Sequence, residues 1–381
     1  MMAVRSRLVA AVGALIAVAA LAPVASAAAK GPPVDLAFLG QAIVPTGTMV
    51  EGTTVGGLSS ITYDPDRGVF YALSDDPSQF QPARFYTVAL DLGDGQLANG
   101  DVRFEDVTTL LAPGGQPYAP FSLDPEGLAL TGDRRLVLTS EGFANPLVNP
   151  FRLVDPFVRR HALDGSFVDS LPVPEPFLPT ADRSSGIRHN RAFESVGVPQ
   201  NGRFAFVATE NALFQDGPAA TVAGGSPARI LRYNLQTGRL DRQWVYVTDP
   251  VAQAPVPASQ FSVNGLVELL PLDNEFMIAM ERSFSVGVPG TGNTIKLYTL
   301  ALPGATDVNG AESLQSQLGS IRPAEKTLLL DLGELGIPLD NVEGLTFGPR
   351  LPDGRRSVVL VSDNNFAPAQ FTQFLLFALE R

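Results

Sequence analysis

Short apolar runs with alternating polar positions recur along the whole chain, separated by Gly, Pro, Asp and Asn residues. Runs of this kind, with a period of two and bounded by turn-forming residues, are typical of β-strands. After an isolated first strand at 34–44, the runs form five groups that begin near residues 57, 127, 193, 265 and 343. The first four groups contain four strand candidates each, and the fifth contains three. The pattern predicts an all-β protein.

The five groups share a repeated pair of half-motifs. A strand with a polar residue near its start is followed by a strand that ends in a carboxylate, as in Asp124-Pro125-Glu126-Gly127-Leu128 and Leu138-Thr139-Ser140-Glu141. We place the first position at Gly56, Glu126, Glu194, Asn264 and Glu343, and the last at Asp75, Glu141, Glu210, Glu281 and Asp363. A repeated four-stranded unit indicates a propeller blade.

Five such units predict a single β-propeller over residues 34–381 with five four-stranded blades. Six blades are the alternative, if one of the longer connections contains a degenerate blade. The fifth unit lacks its fourth strand, whereas the strand at 34–44 has no partner nearby. We therefore expect the N-terminal strand to complete the last blade and close the ring, because closure removes exposed sheet edges.

Residues 1–27 have the pattern of a secretory signal peptide. Arg5 and Arg7 precede an apolar run from Leu8 to Leu21, and Ala25-Ser26-Ala27 supplies a cleavage signal. Because the run is too short to span a bilayer with these flanks, we expect a secreted protein, in the periplasm or the medium. A retained membrane anchor is the alternative. The chain has no cysteine, so it cannot form disulfides.

The net charge narrows the range of partners. It is −12 for the whole chain, and removal of residues 1–27 takes away two arginines and leaves −14. Nucleic acids and anionic membranes require a basic surface, which this balance does not favour. We therefore expect a monomer that binds a small molecule, with no nucleic-acid partner and no membrane association after cleavage.

The repeated carboxylates are the main candidates for chemistry. In a propeller blade, the start of the innermost strand and the end of the second strand emerge at the same rim, so the acids should surround one mouth of the central channel. Such oxygen ligands suit Ca²⁺, whereas zinc is disfavoured because the chain has no cysteine and only two histidines. The candidate ligands are Asp75, Glu126, Glu141, Glu194, Glu210, Glu343, Asp363 and Asn364. The alternative is that each acid is a turn residue capped by backbone amides.

Few basic residues accompany these acids. Arg191 lies just before Glu194, and Arg282 directly follows Glu281. If a metal binds the carboxylates, both arginines can hold an anionic substrate, and together with Glu281 they are the candidate catalytic residues. Of the two histidines, His161 is expected to be structural. The sequence contains no G-x-S-x-G motif, P-loop or G-x-G-x-x-G motif.

With these motifs the chain resembles the phytase-like domain proteins, the "esterase-like activity of phytase" family. The resemblance covers nearly all of the mature chain, and it departs from the pattern at Glu194-Ser195 and Asn264-Gly265. It implies an exported, β-propeller-like protein linked to phosphate-ester or carboxylic-ester hydrolysis. The motifs that carry it are Asp124-Pro125-Glu126-Gly127-Leu128, Asn190-Arg191-Ala192-Phe193-Glu194, Met280-Glu281-Arg282-Ser283-Phe284, Asn341-Val342-Glu343-Gly344-Leu345 and Ser362-Asp363-Asn364-Asn365-Phe366.

Three hypotheses of function follow. The first is a calcium-dependent hydrolase of anionic phosphate esters, in which carboxylates hold the cation and the two arginines hold the phosphate. The second is a non-catalytic propeller that calcium stiffens and whose long loops bind a glycan, polyphosphate or protein. The third is a metal-dependent carboxylic esterase or lactonase.

Overall fold

The computed structural model describes residues 32–145, 152–317 and 319–380. It contains five four-stranded antiparallel sheets, and the inner strands of neighbouring sheets contact each other in ring order. The prediction of a five-bladed β-propeller is therefore confirmed, and the six-bladed alternative is wrong. The predicted signal peptide at 1–27 lies outside the described residues. Within the described part, no helix has the length and apolar character needed to cross a bilayer.

The blades follow one another along the chain, each running from an inner to an outer strand. Blade 1 has strands Leu58–Asp64, Val69–Ser74, Arg84–Leu90 and Val102–Thr109. Blade 2 has Pro125–Leu130, Arg135–Ser140, Phe157–Ala162 and Phe167–Leu171. Blade 3 has Phe193–Gly197, Phe204–Thr209, Pro227–Asn234 and Arg239–Val247. Blade 4 has Ser262–Pro271, Phe276–Ser285, Asn293–Ala301 and Glu325–Asp331. Blade 5 has Asn341–Arg350, Arg356–Asp363, Thr372–Glu380 and Asp35–Val44.

The connections contain little further regular structure. Two small hairpins pair Met49–Val50 with Thr53–Thr54 and Phe143–Asn145 with Arg152–Val154. Three short 3₁₀ turns cover Glu175–Phe177, Gln315–Gln317 and Leu332–Leu335. The low helix content of the described residues agrees with the all-β prediction.

The N-terminal strand closes the ring as expected. Asp35–Val44 pairs antiparallel with Thr372–Glu380 and becomes the outer strand of blade 5. The start of the described chain is thereby built into the last blade, and the chain then continues into blade 1. This pairing gives a hydrogen-bonded partner to an edge that would otherwise be open.

The core consists of apolar layers between the blades. Five clusters of buried side chains lie one at each interface between neighbouring blades. Strands in the middle of a blade are buried on both faces, as in Val358–Val361, where every side chain is 0% exposed. Outer strands such as Val102–Thr109 keep polar residues toward solvent. The blades therefore pack face to face, and their inner strands are fixed around the central channel.

Candidate functional site

A cavity of about 920 Å³ opens where the five inner strands begin, and all five blades contribute to its wall. The described residues that line it include eight acids and two arginines, so the wall is strongly negative. Eight of the predicted ligand and catalytic residues meet there: Asp75, Glu126, Glu194, Glu210, Glu343, Asp363, Arg191 and Arg282. Glu141 lies directly behind the wall, within reach of Asp124 and Glu126.

Every inner strand contains a β-bulge near its start, and the bulge determines where the side chain at that position points. The pairing shifts after Leu58, Pro125, Phe193, Leu266 and Val342. The residues that follow these shifts are Ser59, Glu126, Glu194, Val267 and Glu343. A bulge leaves one residue out of the ladder and re-aims its side chain, which explains why three glutamates converge on the cavity. In blades 1 and 4 the bulge positions are Ser59 and Val267, so the placement of the motif at Gly56 and Asn264 was wrong.

The end of the second strand of each blade supplies further charged side chains. In the second strand of each blade, one residue pairs with the inner-strand residue directly before the bulge. These second-strand residues are Ser74, Ser140, Thr209, Glu281 and Ser362. The next residue along each strand is Asp75, Glu141, Glu210, Arg282 and Asp363. Four blades thus carry an acid at this position, and blade 4 carries Arg282 in its place.

The expected position of Glu281 at the channel mouth requires correction. Neighbouring residues of a strand point to opposite faces of the sheet, so Glu281 faces away from the cavity that Arg282 lines. Its carboxylate accepts hydrogen bonds from Tyr246 Oη at 2.6 Å and Asn264 Nδ2 at 2.8 Å, and it pairs with Lys326. Glu281 lines a separate cavity of about 230 Å³.

Asn364 also has a different environment from the one expected of a metal ligand. Its side-chain oxygen accepts hydrogen bonds from the backbone of Phe366 at 3.0 Å and Gly57 at 3.2 Å. Its Nδ2 donates to Thr372 Oγ1 at 3.1 Å. These contacts hold the turn after blade 5 against blade 1, and the neighbouring Asn365 lines the cavity instead.

A buried acidic triad in blade 2 offers the best-formed group of metal-ligand atoms. One carboxylate oxygen from each of Asp124, Glu126 and Glu141 lies within 4.8 Å of the others. All three side chains are buried, with at most 9% of each residue exposed. A set made only of carboxylate oxygens fits a hard cation such as Ca²⁺ or Mg²⁺ and does not fit zinc.

Two cavity acids, Asp124 and Asp340, were not among the predicted site residues. Asp124 begins the Asp-Pro-Glu motif, and residues two apart on a strand point to the same face, so its position relative to Glu126 was a usable signal. Asp340 accepts hydrogen bonds from Gln370 Nε2 at 2.9 Å and from the Phe371 backbone at 2.6 Å. Nothing in the local sequence distinguishes Asp340 from an ordinary turn residue.

Burial and mutual repulsion raise the pKa values of these acids. Burial raises the pKa of Glu126, and the nearby carboxylates of Glu194 and Asp124 raise it further. Burial raises the pKa of Asp124 to about 8, and burial with the Glu343 charge raises that of Asp363 to about 7. Such shifts mark carboxyl groups without enough positive charge nearby, which a bound cation would supply.

Arg282 is the central positive group of the cavity. Its Nη2 lies 2.6 Å from Glu343 Oε1, 3.8 Å from Glu210 Oε1 and 4.0 Å from Glu194 Oε1. Burial disfavours the guanidinium charge, but these three carboxylates outweigh burial and raise its pKa. Arg282 therefore joins blades 3, 4 and 5 and offsets part of their charge.

Arg191 and His189 line the same cavity. In the described part of the chain, no hydrogen bond or ion pair within 4.0 Å occupies the Arg191 guanidinium. Burial lowers the pKa of His189, so the imidazole is neutral near pH 7, and its Nδ1 has no hydrogen-bond partner among the described residues. His161 is a core residue, as expected: it is 0% exposed, and its Nε2 lies 3.2 Å from the Leu111 carbonyl oxygen.

The fold and the acidic cavity define a five-bladed β-propeller with a potential cation site at one mouth. The chain belongs to the phytase-like family described as "esterase-like activity of phytase", whose sequence model matches residues 53–366. No curated protein sequence matches the chain.

Solved structures with a similar arrangement share little sequence with this chain. A protein of unknown function from Dyadobacter fermentans has 14% identity and a TM-score of 0.41, over 91% of this chain and 99% of that one. An endo-arabinase from Bacteroides thetaiotaomicron has 12% identity and a TM-score of 0.43, over 86% of this chain and 95% of that one. A putative 6-phosphogluconolactonase from Bacteroides uniformis has 13% identity and a TM-score of 0.34, over 84% of this chain and 80% of that one. Scores this low carry no argument about this chain's function.

Proposed function

We propose that this protein is a divalent-cation-dependent hydrolase of phosphate esters that acts at the mouth of the propeller channel. The observation that carries the proposal is the convergence of eight acids and two arginines from five blades on one cavity. The description of the family, which refers to phytase and to esterase-like activity, supports a hydrolase. The signal-like segment at 1–27 supports an exported enzyme.

The cation-binding part of the proposal is assigned to Asp124, Glu126 and Glu141, with Ca²⁺ as the expected ion. Support comes from the short separation of their oxygens, at most 4.8 Å, and from the raised pKa values of all three. A bound divalent cation supplies Lewis acidity and positive charge next to the ester group. Glu194 also lies near the triad, since its charge raises the pKa of Glu126, so it can complete the ligand set.

Binding of the phosphate of the substrate is assigned to Arg191, because the Arg191 guanidinium has no hydrogen bond or ion pair in the described part of the chain. A guanidinium binds phosphate oxygens through two parallel hydrogen bonds and keeps its charge at any accessible pH. Arg282 has a supporting role in this scheme, since three carboxylates already surround it. It holds the acids of blades 3 and 5 in place and limits the negative charge that an anionic substrate meets.

His189 is assigned the role of proton acceptor. The imidazole lines the cavity, and burial lowers its pKa. A neutral histidine near pH 7 can take a proton from an attacking water. Replacement of His189 by Gln should therefore lower kcat by about 10²-fold or more and leave cation binding unchanged.

A second candidate function is hydrolysis of a neutral carboxylic ester or lactone. The observation that favours it is the negative charge of the cavity wall, which contains eight acids and two arginines. One of the arginines, Arg282, is already paired with Glu343. A neutral ester would meet less repulsion there than a phosphate.

The test is an activity assay of the mature protein with excess Ca²⁺ and, separately, with chelator. The substrates are p-nitrophenyl phosphate, phytate and short p-nitrophenyl esters. The proposal predicts phosphatase turnover that chelator abolishes and that Arg191→Ala reduces by about 10²-fold or more. Carboxylic-ester turnover without phosphatase activity would support the second function. A calcium-dependent rise in melting temperature without any turnover would leave a non-catalytic, cation-stabilised binding propeller.

A further inference from the structure

The inner hairpin of blade 4 is longer than those of the other blades. In blades 1, 2 and 3 the paired part of this hairpin begins with the pair of residues directly before the bulge. In blade 5 it begins one pair earlier, at Asn341–Asp363. In blade 4 four further pairs continue outward from Leu266–Glu281, as far as Ser262–Ser285. The second strand of blade 4 therefore continues four residues past Glu281, to Ser285. The extension forms a wall on one side of the cavity.

Beyond Arg282, the cavity side of this extension is apolar. Val263 and Phe284 form one of the added pairs, and both line the cavity. Phe261 precedes the strand, lines the cavity with 54% of its surface exposed, and lies 6.2 Å from Phe284 between ring centroids. An aromatic side chain this exposed at the edge of a cavity retains a large apolar area for contact with a ligand.

The position of Phe284 is fixed by its neighbours. A Cβ atom at Gly292 would lie 2.9 Å from Phe284 Cε2, so the glycine allows the ring to pack against the following turn. Arg282 and Phe284 are two residues apart and therefore point to the same side of the sheet, separated by about 7 Å along the strand. The aromatic wall consequently begins one side chain beyond the charged part of the cavity.

We infer that the substrate is an ester of an apolar alcohol, with an aryl or alkyl group that packs on Phe261 and Phe284 while the ester group lies among the charged residues. The inference rests on the proposed function and specifies its substrate class. A polyanion such as inositol hexakisphosphate would meet eight acids and only two arginines. A monoester presents one charged group and places its apolar part on the wall of blade 4.

Binding of non-hydrolysable analogues tests this inference without any turnover. Titration calorimetry with excess Ca²⁺ compares phenylphosphonate with methylphosphonate for the wild type, Phe261→Ala and Phe80→Ala. Phe80 is a matched control, because it is 57% exposed and is not among the lining residues. The wild type should bind phenylphosphonate about tenfold more tightly than methylphosphonate, and Phe261→Ala should lose most of this difference. Phe80→Ala should retain it.

The outcomes separate the two proposals. Equal affinity of the two phosphonates in the wild type, or an equal effect of Phe80→Ala and Phe261→Ala, overturns the aromatic subsite and leaves the proposed hydrolase standing. If neither phosphonate binds and no ester is hydrolysed, both proposals fail. If only carboxylic esters are hydrolysed, and Phe261→Ala removes a preference for phenyl over methyl acetate, the subsite is supported and the phosphate-ester proposal fails.

Discussion

Arg282 occupies the register position at which the other four blades carry an acid, and it is the residue that joins the charges of three blades. Its guanidinium lies 2.6 Å from Glu343 and within 4.0 Å of Glu210 and Glu194. The side chain is only 12% exposed, so solvent provides little alternative compensation. A buried cation of this kind sets how much negative charge the cavity can hold.

Replacement of Arg282 by Gln should therefore destabilise the protein. Three buried carboxylates would lose their fixed counter-charge, and the loss is expected to be about 3 kcal/mol or more of unfolding free energy in chelator. Urea denaturation measures it, and added Ca²⁺ should restore part of the stability. The control is Arg103→Gln, whose side chain is 72% exposed and whose loss should stay below about 1 kcal/mol. Equal stability of the two variants would contradict this role.

Glu281 belongs to a hydrogen-bond network outside the acidic cavity. Its partners are Tyr246, Asn264 and Lys326, and Lys326 also binds Asp249 at 2.8 Å. Glu281→Gln should thus lower stability, because Lys326 loses a buried partner. It should leave calcium affinity, measured by calorimetry, within about twofold of the wild type. Loss of calcium binding or of turnover in this variant would instead support the catalytic role predicted from the sequence.

At the scale of elements, buried ion pairs hold the long connections above the blades. Asp216 in the 210–226 connection binds Arg229 Nε at 2.7 Å, and both side chains are 0% exposed. Arg229 Nη1 also donates to the Ala311 carbonyl at 2.8 Å, which ties the 302–324 connection to the same point. These contacts fix two connections that the sequence could only mark as long.

Asp216→Asn should cost about 3–5 kcal/mol of unfolding free energy, since it leaves a buried guanidinium without its partner charge. The matched control is Glu105→Gln, because Glu105 is 35% exposed and pairs with a surface arginine, so its effect should be about 1 kcal/mol or less. Chemical denaturation of both variants provides the comparison. A loss for Asp216→Asn no larger than that of the control would show that the pair is not needed to anchor the connections.

Strands were the predictable part of the fold, and strand register was not. The apolar runs predict strands at 69–74 and 84–90, and the structure has Val69–Ser74 and Arg84–Leu90, because such runs can be recognised without knowledge of the partner strands. A bulge shifts the alternation of side chains by one residue, and no local residue type marks it. This is why Asn264 was taken as the counterpart of Glu126, when Val267 holds that register position.

The strand register, which the sequence does not show, also determines which charged residues line the cavity. Glu281 and Arg282 are neighbours in the sequence, and only their pairing with the inner strand shows that Arg282 faces the channel. Asn364 was predictable as a strand-end residue, but its backbone partner Gly57, just before blade 1, is 307 residues away in the chain. Long-range contacts of this kind are outside the reach of local motifs.

Across the whole molecule, the pKa shifts give the cation-free protein a distinct pH dependence. Asp124 and Asp363 have folded-state pKa values raised to about 8 and about 7. Each therefore contributes stability that is complete below the unfolded pKa, about 4, and is lost as pH rises through the folded value. In chelator, the melting temperature should fall from about pH 5 to about pH 8.5, because the repelling carboxyl groups lose their protons.

Excess Ca²⁺ should reduce this fall, because a bound cation favours the ionised carboxylates. Asp124→Asn should also reduce it in chelator, since the variant removes one titrating group. Melting temperatures measured across this pH range in chelator and in Ca²⁺ provide the check. A melting temperature in chelator that stays level or rises over the same range would show that the carboxyl groups are compensated within the protein.

The most direct test of the account is the effect of calcium on the melting temperature of the wild type, Glu126→Gln, Glu141→Gln and the exposed-site control Glu105→Gln. A cation bound by carboxylates from the folded ring stabilises only the folded state. At saturating Ca²⁺ near pH 7.5, the wild type and the control should melt about 5 °C or more above their values in chelator. The two triad variants should lose most of that rise. Equal melting temperatures of the wild type with and without calcium would contradict a shared cation site at the channel mouth.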